Sequence, residues 1–227
     1  MTVRRIIRLT PAANRNRTAH PAHSVAAFAE EVSDESVKWL DLQGLARGIQ
    51  PLISPMASLA SIHYFTALPE HLYLANPGRL QRHRTYLRAL TAHGSMRPSI
   101  VLGRIAQQQV QVRAAMGVVT GSLWREKGTD IALAMALLRE ASKGDLDEAV
   151  IVSGDADYLP AVKVFREMYP RLGLRFAFPR GRASKELSRE TLNSFTLTSA
   201  AYLSHRLPER IRLPSGKWLH CPAEWRR

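Results

Sequence analysis

The sequence predicts an α/β domain in which a parallel sheet is covered by helices on both faces. Three observations carry that expectation. Segments rich in β-branched and aromatic residues alternate with segments of helical period. One of them, EAVIVSG at 148–154, runs Val150, Ile151 and Val152 into a glycine turn and is the clearest strand. The chain has 227 residues, 45% of them hydrophobic, which suits one full core with appendages better than two independent domains.

The elements follow in order. SVKWLDLQGLARGI at 36–49 sets Trp39, Leu42, Leu45 and Ile49 at helical spacing and predicts a helix with one buried face. ASIHYFTAL at 60–68 predicts a strand. NPGRLQRHRTYLRALTAHG at 76–94 opens on a turn, places Leu80, Tyr86, Leu87 and Leu90 on one side and stops at Gly94, a helix with a basic outer face. PSIVLGRI at 98–105 is a second short apolar run, and QQVQVRA at 108–114 alternates as an edge strand does. EKGTDIALAMALLREASKG at 126–144 predicts a strong helix opened by Thr129 or Asp130 and closed by Gly144. After the strand at 148–154, YLPAVKVFREMYPRLG at 158–173 is a helix with Pro160 in its first turn. LRFAFP at 174–179 is a strand, SKELSRETL at 184–192 a short helix and FTLT at 195–198 a closing strand. Residues 1–36 read as an atypical, disordered basic leader, 37–207 as the domain, and 208–227, with Trp218 and Trp225, as a tail packed on the outside of it.

A formal charge of +13 points to a polyanionic partner, nucleic acid first, with a solvated positive face as the plainer alternative. Arg4, Arg5, Arg8, Arg15 and Arg17 lie in the leader, yet the remainder stays basic without them. The single cysteine, Cys221, excludes an intrachain disulfide framework and favours a reducing, cytoplasmic compartment. No apolar stretch approaches the roughly 20 residues that cross a bilayer, so no membrane association is expected. Assembly into a homo-oligomer stays open.

The candidate chemistry gathers around two aspartates. Ligands of an open parallel sheet sit beyond the carboxyl ends of its strands. Asp155 and Asp157 directly follow the best strand, and Asp130 opens the helix that leads back into it, so three carboxylates are expected to converge. Two acids so close repel unless a cation joins them. A hard divalent ion such as Mg²⁺ takes oxygen ligands of this kind, and with basic residues around it such a site suits phosphodiester hydrolysis. Helix capping is the plainer reading of Asp130 or Asp157 taken singly. Arg180, Arg182 and Lys185 in PRGRASK, together with Lys127 ahead of the long helix, are the candidate contacts to nucleic-acid phosphates, against the plainer reading of a solvated loop. Arg79, Arg82, His83, Arg84 and Arg88 offer a second such surface, for which an ordinary exposed helix face is the simpler account. His20 and His23, and His220 beside Cys221, lack the companions that would make a zinc site or a nucleophile.

KGTDIALAMALLREA followed by DEAVIVSGDADYLPAV resembles the LabA-like NYN domains, relatives of the PIN-domain nucleases. KWLDLQGLA, IHYFTA, RHRTYLRAL, SKEL and the closing PAEW resemble the corresponding segments, so the likeness runs from about residue 37 onward. It implies a PIN-like three-layer α/β/α sandwich with a mostly parallel central sheet, and RNA cleavage that depends on Mg²⁺ or Mn²⁺. By motif, Asp130, Asp155 and Asp157 would be the catalytic metal ligands. Ser153 would lie beside the metal, Gly154 would permit the tight turn, and Thr129 would orient Asp130 or a phosphate. One departure stands out. Family members begin with a strand running into D-G-x-N, whose aspartate is the first metal ligand, and residues 1–36 contain no such motif. The first strand is therefore expected to be absent or replaced. The alternative function is a catalytically impaired homologue that binds RNA or another partner. A phosphohydrolase of small molecules is a third class, which would need a pocket shaped for one ligand.

Overall fold

The computed structural model describes residues 4–11, 35–53, 57–70, 76–114 and 117–226. Its strands are β1 (Arg4–Pro11), β2 (Ala57–Ala67), β3 (Ser99–Ala114), β4 (Gly117–Lys127), β5 (Glu148–Val152), β6 (Gly173–Phe178) and β7 (Phe195–Thr196), followed by a small hairpin of β8 (Arg210–Arg212) and β9 (Trp218–His220). The helices are α1 (Leu42–Ile53), α2 (Pro77–Ala92), α3 (Thr129–Ser142), α4 (Leu159–Met168), α5 (Lys185–Glu190) and α6 (Ser199–Leu203).

The main sheet has the order β4-β3-β2-β1-β5-β6-β7. β2 is parallel to β3, and β5, β6 and β7 are parallel to one another, while β1 is antiparallel to both of its neighbours and β4 to β3. β2, β3, β5, β6 and β7, five of the seven strands, therefore point one way, while β1 in the middle and β4 at the edge make three of the six pairings antiparallel.

β5 shows why the domain has three layers. Val150 and Val152 enter one core with Leu42, Leu45 and Ile49 of α1 and Tyr86 and Leu90 of α2. Ala149 and Ile151 enter the other with Leu133 and Leu137 of α3, Val162 and Phe165 of α4 and Leu187 of α5. A strand covered on both faces has no solvent side, so its sequence is continuously apolar rather than alternating. The segment after Pro208 closes the first core: Trp225 lies 6.4 Å from Trp39 and 6.4 Å from Tyr86, ring centre to ring centre. The Trp39 indole N–H donates to the Pro208 carbonyl at 2.9 Å, and the buried Tyr86 hydroxyl donates to the Leu40 carbonyl at 2.9 Å.

Several elements differ from their sequence expectation. The two runs at 98–105 and 108–114 form one strand, β3, and β4, unmarked in the sequence, pairs with it from Arg104↔Lys127 to Ala114↔Gly117. β3 pairs with β2 only from Ser99 to Gly103, so beyond that point the β3–β4 ribbon leaves the sheet as a two-stranded arm. The helix expected at 36–49 begins later, after a 3-10 turn at Glu35–Lys38, where the Asp41 carboxylate accepts the Gln43 N–H at 3.0 Å. Residues 4–11, inside the expected disordered leader, form the central strand β1. Residues 12–34, with His20 and His23, lie outside the described residues.

Candidate active site

Because five strands run the same way, their carboxyl ends share one edge, where an open sheet leaves a crevice. Three segments build that edge: the turn after β5, the start of α3 and the turn after β6.

In the turn after β5, Ser153 is buried and its Oγ accepts the Asp155 N–H at 3.2 Å. The Asp155 carboxylate accepts the Asp157 N–H at 3.0 Å and so caps the 3-10 turn Ala156–Tyr158. Capping thus falls to Asp155 and not to Asp157. Asp157 is exposed, and its carboxylate makes no hydrogen bond or ion pair among the described residues. A Cβ at Gly154 would stand 1.7 Å from the carbonyl oxygen of Arg182, so glycine at this position lets the turn after β6 lie directly on the aspartate turn.

Asp130 lies in the first turn of α3 rather than at its cap. The cap position is Gly128, whose φ of 88° is the left-handed conformation that glycine favours, and no side chain caps the helix. A carboxylate in that turn is favoured by the helix dipole. The buried Tyr158 hydroxyl donates to Asp130 Oδ1 at 2.7 Å, tying the start of α3 to the turn that carries Asp155 and Asp157. Thr129 is buried, and its hydroxyl donates to Glu126 of β4 rather than to Asp130.

These acids are hard oxygen donors, the kind a divalent cation takes. Among the described residues, however, no group of three or more His, Cys, Asp or Glu is placed to hold a metal ion. The donor set fits such an ion in kind, but its members are not grouped closely enough to hold one. The central strand does not supply a further carboxylate. Running antiparallel, β1 brings Arg4 level with Phe65 and Arg5 level with Val152, and it contains no acidic residue.

Cations flank the acids. Arg180, Arg182, Lys185 and Lys127 are exposed, and none makes an ion pair among the described residues; Arg180 donates to Ser199 Oγ at 3.2 Å. The basic face of α2 is more occupied: Arg82 pairs with Glu224, Arg84 with Glu70 at 3.1 Å, and His83 bonds Thr66 Oγ1 at 3.2 Å. On the α3 side of the sheet, buried Glu140 accepts two hydrogen bonds from Lys143 Nζ, at 2.6 and 2.7 Å, and lies 3.6 Å from His63 Nε2. Burial holds His63 below the ordinary histidine value; Glu140 opposes the shift, and Arg139 and Lys143 add to it.

Tyr158 and Glu126 escaped the sequence reading, as did Arg104 and Arg125 on the arm. Tyr158 stands next to Asp157 in the motif and was within reach, whereas the others acquire meaning only from the β3–β4 register.

A sheet with five of its seven strands aligned, between two helical layers and with acids and unpaired cations along its carboxyl edge, defines a PIN-like α/β/α domain. The NYN domain family model matches residues 61–197, and the chain belongs to that family, within the PIN-like superfamily. The family gives it an RNA-related function of the nuclease type. No curated protein and no solved structure matches the chain. No helix among the described residues is long and apolar enough to cross a membrane.

Proposed function

We propose that the protein is a metal-dependent endoribonuclease of the NYN type that hydrolyses RNA phosphodiesters at the carboxyl edge of its sheet. The observation that carries this reading is the hydrogen bond from Tyr158 to Asp130, which ties two acid-bearing segments, far apart in sequence, to one place. Asp130, Asp155 and Asp157 are the acids that would have to draw together on Mg²⁺ or Mn²⁺, since among the described residues no three already stand placed to hold one; when bound, such an ion polarises a phosphoryl oxygen and acidifies water. The chain's own residues do the rest. Arg180, Arg182, Lys185 and Lys127 bind phosphates on either side of the acids. Ser153 and Gly154 fix the turn, and Asp155, engaged as a cap, holds Asp157 out toward solvent.

A second reading, an RNA-binding homologue impaired in cleavage, is favoured by a separate observation. Where the family expects a first aspartate at the end of a strand, the central strand β1 runs antiparallel to both neighbours and its sequence contains no acidic residue.

Labelled single-stranded RNA incubated with Mn²⁺ and the purified chain, beside Asp155→Asn and Tyr158→Phe, separates the two. Cleavage that Asp155→Asn lowers by about 100-fold or more supports the enzyme. Equal cleavage by wild type and Asp155→Asn marks a contaminant and removes the enzyme reading. RNA binding without cleavage leaves the second reading standing. On the enzyme reading, Tyr158→Phe frees Asp130 of its phenol and shifts the Mn²⁺ concentration needed for half-maximal rate.

A further inference from the structure

We propose that the β3–β4 arm is a strap for the RNA backbone, gripping phosphates through Arg104, Arg125 and Lys127. The inference rests on the reading of RNA as the partner and adds a surface to it.

The register places Arg104 opposite Lys127 and Ala106 opposite Arg125. Residues directly opposite in an antiparallel ladder point to the same face, and so do positions two apart, which puts the three cations on one face at the base of the arm. All three are exposed, and none makes an ion pair among the described residues. The nearby acid, Glu126, is opposite Ile105 on the other face and accepts the Thr129 hydroxyl.

The base of the arm is fixed beside the acids. Gly103 is level with Ala67, the last residue of β2, and a Cβ on it would fall 2.5 Å from Cγ2 of Thr129, the residue before Asp130. On the far side of the acids stand Arg180 and Arg182, after β6. The path β3-β2-β1-β5-β6 covers four strand spacings, or roughly 19 Å at about 4.8 Å each. A strand of RNA crossing this edge would meet cations on both sides of the carboxylates.

The charge on the arm also selects its partner. Three like charges close together on one face of a ladder repel one another. A polyanion relieves that repulsion. A second copy, docking through the same face, would bring the same cations against it.

The test is fluorescence anisotropy of labelled single-stranded RNA titrated with the full chain across a salt series. The variants are Arg104→Gln/Arg125→Gln/Lys127→Gln, its charge-keeping counterpart Arg104→Lys/Arg125→Lys, and Arg79→Gln/Arg88→Gln on α2 as a charge control. With about 0.7 counterions released per single-strand phosphate contact, loss of three contacts should flatten the slope of log affinity against log salt by about 2 and weaken binding at least about tenfold. The lysine variant should bind nearly as wild type does, and the α2 control should keep the wild-type slope. If wild type binds RNA and the triple variant binds with an unchanged slope, the strap is wrong while the RNA reading stands. If wild type fails to bind RNA at any salt, the RNA reading falls and the strap with it. Intact RNA binding combined with a changed oligomeric state on sedimentation would make the arm a self-association surface and overturn the strap.

Discussion

At the scale of single residues, the two turns at the carboxyl edge are held by an absence. The obstacle to a methyl group at Gly154 is a backbone carbonyl, that of Arg182, which cannot rotate aside as a side chain would. Gly154→Ala should therefore push the turn after β6 off the aspartate turn and cost about 1–3 kcal/mol, read as a lower urea midpoint at unchanged slope. Gly121→Ala is the comparison: its nearest neighbour would be Val110 Cγ2 at 3.9 Å, and it should stay within about 0.5 kcal/mol of wild type. The aspartates were legible in the sequence because a motif is local, whereas the Tyr158–Asp130 hydrogen bond joins residues 28 apart and needed the strand order first. Burial first, then neighbouring Glu209, pushes the Cys221 thiol up to about 12, against the pull of Arg206 and Arg226, and a thiol held protonated is no nucleophile.

At the scale of elements, the segment after Pro208 works as part of the core. Trp225 is 8% exposed and fills the angle between Trp39 and Tyr86, so Trp225→Ala should cost about 3–5 kcal/mol and lower the thermal midpoint by calorimetry or circular dichroism. A loss near zero would mean that this segment only lies on the surface. The helices were readable because their ends carry chemistry: Asn76 accepts the Arg79 N–H ahead of Pro77, and Ser184 accepts the Leu187 N–H ahead of α5. β4 was not, since its sequence mixes Gly117 and Gly121 with Arg125 and Lys127 and shows no regular alternation of apolar and polar residues. β1 was hidden for the opposite reason. A central strand ordinarily reads as an apolar run, and RRIIRLTP reads as a basic one.

For the whole molecule, the buried histidine between β2 and α3 makes stability depend on pH. His63 titrates below its ordinary 6.5 in the folded chain, so between that lowered value and 6.5 the unfolded chain binds a proton that the folded one refuses. Stability therefore rises with pH through this window and is lost as the pH falls below 6.5. Thermal midpoints should drop between about pH 7 and about pH 5.5, and His63→Gln should flatten that part of the profile. An identical drop in the variant would assign it to other groups. The other molecule-wide feature is that β1 alone joins β2-β3-β4 to β5-β6-β7, with Ile6 opposite His63 on one side and Ile151 on the other. Bringing such distant partners together carries a high loop-closure cost. Until they meet, the chain carries two half-built ladders with raw inner edges, each able to recruit a neighbour's strand in place of its own. Slow, dilute refolding favours the native insertion, and crowding at that moment favours the aggregate.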